Sequence, residues 1–226
     1  MLILVVVALG AGAVAYAVHR LQGPSLLRAS GIPSVVATRL ADLMQLSPVP
    51  ARPAPSFTLR DQRGRTFSLS SFRGRSVVLE FMDPHCTDIC PLVSEEFVDA
   101  FKDLGPRATQ TAFVAVNVNA FHASSADMAT FSREHGLDTI PDWHFFTGRV
   151  EALRRVWSAY GIYVYAPNPN ADIIHTSIVY FIDPQGRERF IAEPIADHRH
   201  DGTAYLPASQ LSSWGQGIAL VAGQLS

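Results

Sequence analysis

The chain contains two cysteines, Cys86 and Cys90, with three residues between them. A disulfide across so short a loop removes little chain entropy, so the pair is better suited to chemistry than to cross-linking. Two cysteines also exclude a multi-disulfide scaffold and a four-cysteine zinc site. Copper binding and disulfide exchange both require thiolates. The alternative, two buried and inert cysteines, does not account for the Pro, His and Asp residues of the segment 83–91, DPHCTDICP.

The cysteines lie between a predicted strand and a predicted helix. Residues 76–82, SVVLEFM, form a short apolar run typical of a central strand. Residues 91–104 carry apolar side chains at helical spacing, and Pro91 suits the first helical position, where no N–H is needed. We therefore expect Cys90 at the helix entrance and Cys86 on the loop before it. Amide N–H groups and the helix dipole favour thiolates at such a place.

A third residue with metal-binding chemistry is His175. It directly precedes an apolar strand, predicted at 177–182, and a D-P-Q-G turn at 183–186. From this position alone, a role in the core and a role as a ligand are both open.

The other histidines carry weaker signals. His85 adjoins Cys86 and is expected to orient the loop, although it could also tune or bind at the site. His198 and His200 lie in a D-H-R-H-D segment, which predicts either a solvated loop or a secondary metal site. Three histidines have no supporting pattern: His122, His135 and His144.

Strands and helices alternate along residues 56–226. The predicted strands are 57–59, 66–69, 76–82, 111–118, 143–146, 177–182 and 188–192, and the predicted helices are 91–104, 125–135, 150–160 and 206–221. Alternation of this kind predicts an α/β fold with a mixed central sheet and helices on both faces. A segment of about 170 residues can bury a proper core.

The N-terminal residues differ in composition from this domain. Residues 1–18 contain no charged side chain and would span about 27 Å as a helix, which predicts a transmembrane anchor or a signal segment. Residues 19–55 are rich in proline and are expected to be a tether, within which 34–46 could form a short amphipathic helix. Arginines follow the apolar run rather than precede it, which by the positive-inside rule favours a domain inside the cell. The net charge of −2 gives no electrostatic case for nucleic acid.

The motif C-T-D-I-C-P at 86–91, with a later His before an apolar strand and a D-P-x-G turn, resembles the Sco/SenC family of thioredoxin-like copper proteins. The resemblance extends over residues 53–222 and includes the tethered N-terminus. It implies a thioredoxin-like fold and one copper ion bound by Cys86, Cys90 and His175, as Cu(I) and also as Cu(II). Two soft thiolates and an imidazole suit Cu(I), whereas Zn(II) prefers four ligands.

The resemblance also implies a function. Members of the family help deliver copper to the binuclear CuA site of cytochrome c oxidase, or keep the CuA thiols reduced. The expected protein is therefore a metallochaperone rather than an enzyme, held at the cell membrane with its domain on the extracytoplasmic side. Its expected partner is the oxidase subunit that carries CuA, or another copper or thiol protein.

Two positions depart from the family pattern. Members usually carry Asp directly before the histidine, where this chain has Ile174. The loss of that carboxylate is expected to weaken Cu(II) binding or to alter the orientation of His175. The family's D-P-x-R-D segment is replaced by NVNAFH at 117–122, whereas Asp88 matches the Asp that is frequent between the cysteines.

Two other functions would use the cysteines without copper. An extracytoplasmic thiol–disulfide oxidoreductase would use Cys86 and Cys90 as its catalytic redox pair, although such enzymes usually have C-x-x-C. A thiol peroxidase would use Cys90 with Thr87, but Pro84 lies one residue too close to Thr87 for the peroxiredoxin spacing. His175 separates these functions, because copper binding needs it and disulfide exchange does not.

Overall fold

The computed structural model describes residues 31–226. The predicted anchor, residues 1–18, lies outside this range. The α-helices are α1 (Thr38–Leu43), α2 (Ile89–Leu104), α3 (Ser125–Glu134), α4 (Val150–Tyr160) and α5 (Ala208–Leu225). The strands are β1 (Ser47–Pro53), β2 (Thr58–Arg60), β3 (Thr66–Ser68), β4 (Ser76–Met82), β5 (Thr111–Asn117), β6 (Trp143–Phe146), β7 (Val164–Tyr165), β8 (Ile174–His175), β9 (Val179–Ile182), β10 (Arg187–Ala192), β11 (Asp197–His198) and β12 (Ala204–Tyr205). None of the helices within 31–226 has the length and apolar character that a bilayer crossing requires.

Six strands form the central sheet, in the order β1-β10-β9-β4-β5-β6. Strands β4, β5 and β6 are parallel, and β9, β10 and β1 extend the sheet by antiparallel pairing. Every residue of β4 and β5 is buried, as expected for strands covered on both faces. The predicted α/β class with a mixed central sheet is confirmed.

Alternate residues of β4 face two separate cores. Val78 belongs to the core that contains Phe97 of α2 and Trp214 of α5. Leu79 belongs to the opposite core, with Leu153 of α4. Helices therefore cover both faces of the sheet, as predicted. Since β4 is packed from both sides, the loop that follows it begins from a well-anchored strand end.

The described part of the predicted tether, residues 31–55, differs from the prediction. Residues 47–53 form the edge strand β1, which pairs with β10, and Val36 and Met44 are fully buried in the main core. The proline content of this segment predicted a spacer, but an edge strand tolerates prolines because its outer side needs no N–H donor. An ion pair between Arg52 and Glu188, at 2.6 Å, also joins β1 to β10. The domain thus begins before residue 56.

Helix α2 begins earlier than predicted. Its first residue is Ile89 rather than Pro91, so that Cys90 lies within the first turn. Proline is still accommodated there, because the first N–H groups of a helix have no partner within the helix.

The position of α2 depends on a close approach to α5 at Gly215. A Cβ atom added at Gly215 would lie 2.7 Å from Cβ of Asp99 and 3.2 Å from the backbone nitrogen of Ala100. We expect Gly215→Ala to lower the free energy of unfolding by about 1–3 kcal/mol, because the helices must move apart. Denaturant unfolding followed by circular dichroism measures this change.

Gly223, further along α5, provides the matched control. A Cβ atom there would meet its nearest neighbours at 3.4 Å or more, which is ordinary contact. Gly223→Ala should leave stability equal or slightly higher, because alanine favours helix over glycine. Equal losses at the two positions would mean that helix spacing is not the cause.

Candidate metal centre

The cysteine loop is anchored by Asp83, the residue directly after β4. The backbone carbonyl of Asp83 accepts a hydrogen bond from the Cys86 amide at 3.1 Å. The Asp83 carboxylate accepts another from the His85 amide at 2.9 Å. Asp83 is itself 5% exposed, so its hydrogen bonds are shielded from water. The loop therefore leaves the sheet with a defined turn that presents Cys86.

The two thiols are free and lie in different environments. Cys86 is half-buried, whereas Cys90 is 1% exposed. A hydrogen bond from the Cys90 thiol lowers the pKa of Cys86 to about 7, helped by amide donors that include the Asp88 N–H at 3.4 Å from Sγ. The same pairing and burial raise the pKa of Cys90 well above its ordinary value. The arrangement therefore favours the thiolate at Cys86 over the thiolate at Cys90.

His175 ends the short strand β8, outside the central sheet. Its Nδ1 lies 3.0 Å from the Thr176 carbonyl oxygen. A carbonyl oxygen only accepts, so Nδ1 carries the proton and Nε2 keeps a free lone pair. Burial lowers the pKa of His175, which favours the neutral imidazole that a metal ion requires.

One cleft brings Cys86 and His175 together. It has a volume of about 450 Å³, and its lining also includes Asp83, Asp172 and His198. Cys90 lies beneath Cys86 and is hydrogen-bonded to it. The ligand atoms of Cys86, Cys90 and His175 are not all within 4.8 Å of one another. Cys86 and His175 therefore share one cleft, with Cys90 buried next to Cys86, and the three do not form a closed coordination sphere.

The short hairpin of β11 and β12 contacts the cysteine loop. Nε2 of His198 lies 2.8 Å from Oδ1 of Asp88, which sits between the two cysteines. Arg199 packs over the ring of Tyr205 at 4.5 Å and supports the hairpin. His200 is exposed and does not line the cleft. A secondary metal site built from His198 and His200 therefore stays a prediction, and the structure assigns His198 to the cleft wall.

A buried polar network that the sequence analysis did not single out holds the next loop against the cysteine loop. Asn119 donates from Nδ2 to the Asp83 carboxylate at 2.9 Å and accepts from the His122 amide at 3.2 Å. Asn117 donates to the His122 carbonyl at 2.9 Å and accepts from the Asn119 amide at 2.7 Å. The loops after the neighbouring parallel strands β4 and β5 are thereby tied into one unit.

This unit brings together His85, His122 and Asp127, whose ligand atoms all lie within 4.8 Å of one another. No pattern in the sequence marked His122 or Asp127 as a site residue. Only the predicted topology could have indicated the cluster, because the carboxyl ends of neighbouring parallel strands, and hence the loops after β4 and β5, meet at one edge of a sheet.

A buried acid lies behind the His175 segment. Glu80 of β4 is 1% exposed; its Oε1 accepts from the Ser177 hydroxyl at 2.9 Å, and its Oε2 has no hydrogen-bond partner. Burial raises the pKa of Glu80 to about 8. Burial raises the pKa of Glu96 in α2 as well, and the charge of Glu80 adds to that effect.

Residues 47–200 match the SCO1/SenC family model, which covers more than half of the chain. The chain belongs to the SCO1/SenC family. A curated relative, the mitochondrial SCO2 homologue of Bos taurus, is 30% identical over 138 residues, which are 58% of this chain and 50% of the relative. The chain thus spans about half the length of that SCO protein.

Solved SCO structures share the fold. The structure of Bradyrhizobium japonicum ScoI with copper bound superposes with a TM-score of 0.59 at 19% identity, over 77% of this chain and all of that one. The structure of BsSco, described as a member of the Sco family of cytochrome c oxidase assembly proteins with a disulfide switch, superposes at 0.55 and 20% identity, over 76% and 96% of the two chains. The predicted family and the thioredoxin-like fold are confirmed.

Proposed function

We propose that this SCO protein is a copper metallochaperone, not an enzyme, that binds one copper ion through Cys86, Cys90 and His175. The observation that carries the proposal is the shared cleft, lined by a thiol with a pKa of about 7 and by a neutral imidazole with Nε2 free. Two thiolates and one imidazole form a three-coordinate site that suits Cu(I). The copper-bound ScoI structure supports the same cargo.

The cleft also suits transfer of the ion to another protein. Cys86 and His175 line an open cleft, and the adjacent Ile174 is 61% exposed although it is a large apolar residue. A partner can therefore reach the ligands and cover Ile174 in the same contact. Membership of the SCO1/SenC family supports the CuA-bearing subunit of cytochrome c oxidase as that partner.

The proposed place of action is the extracytoplasmic face of the cell membrane. Residues 1–18 are apolar enough for a single-pass anchor. Residues 36–53 are packed or paired with the domain, so the tether proposed between such an anchor and the domain is shorter than residues 19–55.

A Cu(I) titration of the reduced full chain against a chromophoric chelator tests the proposal. One tight equivalent is expected, and His175→Ala should weaken it at least about tenfold, because one of three ligands is lost. His198→Ala is the matched control, since His198 lines the same cleft but is not a proposed ligand. The absence of a tight equivalent, or equal affinities for wild type and His175→Ala, would overturn the ligand set.

The asymmetry of the two thiols favours a second candidate function, thiol–disulfide exchange. A half-buried thiolate at Cys86 beside a buried thiol at Cys90 is the arrangement of an attacking and a resolving cysteine. This activity would tolerate His175→Ala, whereas copper binding would not. Reductase activity on a disulfide substrate that persists in His175→Ala, without any tight Cu(I) site in wild type, would favour this second function.

A further inference from the structure

The cluster of His85, His122 and Asp127 lies beside the proposed copper ligands but shares none of them. Each residue comes from a different part of the fold: the loop after β4, the loop after β5 and the first turn of α3. Their ligand atoms lie within 4.8 Å of one another, and it is the only group of three such residues within 31–226 that does so.

The carboxylate of Asp127 is oriented so that one oxygen serves the helix and the other faces the histidines. Oδ2 accepts hydrogen bonds from the Ser124 amide at 3.2 Å and the Ser124 hydroxyl at 2.7 Å, which cap helix α3. Oδ1 lies 3.8 Å from Nε2 of His85, too far for a hydrogen bond. The two imidazole rings are 3.8 Å apart between centroids. The three side chains therefore converge, but Asp127 and His85 are not hydrogen-bonded to each other.

The backbone that carries the two histidines is held in place by buried hydrogen bonds. The carboxylate of Asp83 accepts from the His85 amide and from the Asn119 side chain, both at 2.9 Å. Asn119 in turn accepts from the His122 amide. Asp83 and Asn119 are 5% and 4% exposed, so this support is shielded from water. These hydrogen bonds fix the backbone positions from which both imidazoles extend.

We propose that His85, His122 and Asp127 form a second metal site, selective for a borderline divalent cation and strongest for Cu(II). Two imidazoles and one carboxylate suit Cu(II), Ni(II) and Zn(II), and among these Cu(II) generally binds most tightly. Cu(I) prefers the thiolates, and Mg(II) and Ca(II) prefer sites built from oxygen alone. The His85 and Asp127 side chains are 50% and 29% exposed, so that an ion can enter from solvent.

Two residues of the second site, His85 and Asp127, share a cavity with Cys86. A cavity of about 540 Å³ is lined by His85, Cys86 and Asp127, and also by His135. Cys86 therefore faces this cavity as well as the one that contains His175. A divalent ion bound at His85 would lie one residue along the chain from Cys86, and His85 also lines the cleft that contains His175.

The test uses the full chain with Cys86→Ser and Cys90→Ser, which removes the thiol site and keeps the second. Cu(II) is titrated in, and the bound ion is examined by electron paramagnetic resonance. We expect one equivalent with nitrogen couplings from two imidazoles. His122→Ala and Asp127→Asn should each lower the affinity at least tenfold, and His122→Ala should also remove one nitrogen coupling. Asp127→Asn keeps an oxygen that can cap α3, so its effect is not explained by unfolding.

The matched control is His135→Ala, because His135 lines the same cavity outside the cluster and contacts the Phe131 ring. The His135→Ala change should leave the Cu(II) affinity and the nitrogen couplings unchanged. Absence of a Cu(II) equivalent in the cysteine-free chain, or equal affinities with and without His122, would overturn the proposal. Since the cysteines are absent from this experiment, its outcome is independent of the Cu(I) titration that tests the proposed function.

Discussion

Oxidation of Cys86 and Cys90 to a disulfide is expected to abolish Cu(I) binding at the cleft. Both sulfurs are free thiols in the structure and hydrogen-bonded to each other, so they are placed to form the bond. A disulfide sulfur is not the thiolate ligand that Cu(I) needs. The affinity should fall at least about 1,000-fold, equal to about 4 kcal/mol. Chelator competition on oxidised and reduced protein measures the loss, and thiol titration counts the free cysteines.

Cys90→Ser provides the control, because it cannot form the internal disulfide. The same oxidant should leave its remaining affinity for Cu(I) unchanged, and reduction should restore full binding only in wild type. An oxidised wild-type protein that still holds Cu(I) as tightly as the reduced one would contradict the thiolate ligand set. Because the histidine–aspartate cluster contains no sulfur, Cu(II) binding there should survive oxidation.

Replacement of Glu80 is expected to flatten the pH dependence of stability. The folded state keeps the Glu80 proton up to a pH of about 8, whereas the ordinary pKa of a glutamate carboxyl group is 4.5. Between these values the folded state binds more protons than the unfolded state, so the free energy of unfolding falls as the pH rises. By pH 8 the free energy of unfolding has fallen by roughly 4 kcal/mol because of Glu80. Glu80→Gln removes it, and denaturant unfolding from pH 5 to 8 measures the difference in slope.

The free energy of unfolding of Glu80→Gln should still fall to some extent as the pH rises, because burial also raises the pKa of Glu96. Glu193→Gln is the matched control, because Glu193 is an exposed carboxylate that does not contribute to the raised pKa of Glu80 or of Glu96. Its stability should follow the wild-type curve. Parallel curves for wild type and Glu80→Gln would show that Glu80 is already ionised in the folded protein at neutral pH.

The sequence was most informative where local signals and tertiary packing agree. The continuous apolar run at 76–82 predicted β4 with its observed bounds, and the pattern at 150–160, ended by Gly161, predicted α4. The motif around Cys86 and Cys90 predicted a strand–loop–helix junction, with Cys86 on the loop and Cys90 at the helix entrance. His175 was placed opposite them by resemblance, and the structure puts it in the same cleft as Cys86.

The features that the sequence did not reveal depend on contacts between distant segments. The prolines of 47–53 favour a spacer locally, yet pairing with β10 makes the segment an edge strand. His85 and His122 are separated by a helix and a strand, and only the parallel pairing of β4 with β5 brings their loops together. The raised pKa of Cys90 follows from its hydrogen bond with Cys86 and from burial, which local helix signals do not report.

The imidazole and the thiols belong to structural units of different size. Cys90 is packed in the main core on α2, whereas His175 is carried by the pair of two-residue strands β7 and β8, which is not part of the central sheet. Units with few hydrogen bonds open at a lower free energy than the global unfolding of a domain. Local opening of that pair of strands would move His175 without unfolding the main core that holds Cys90. With the proposed ligand set, handover of copper would then proceed by exchange of one ligand at a time, beginning with His175.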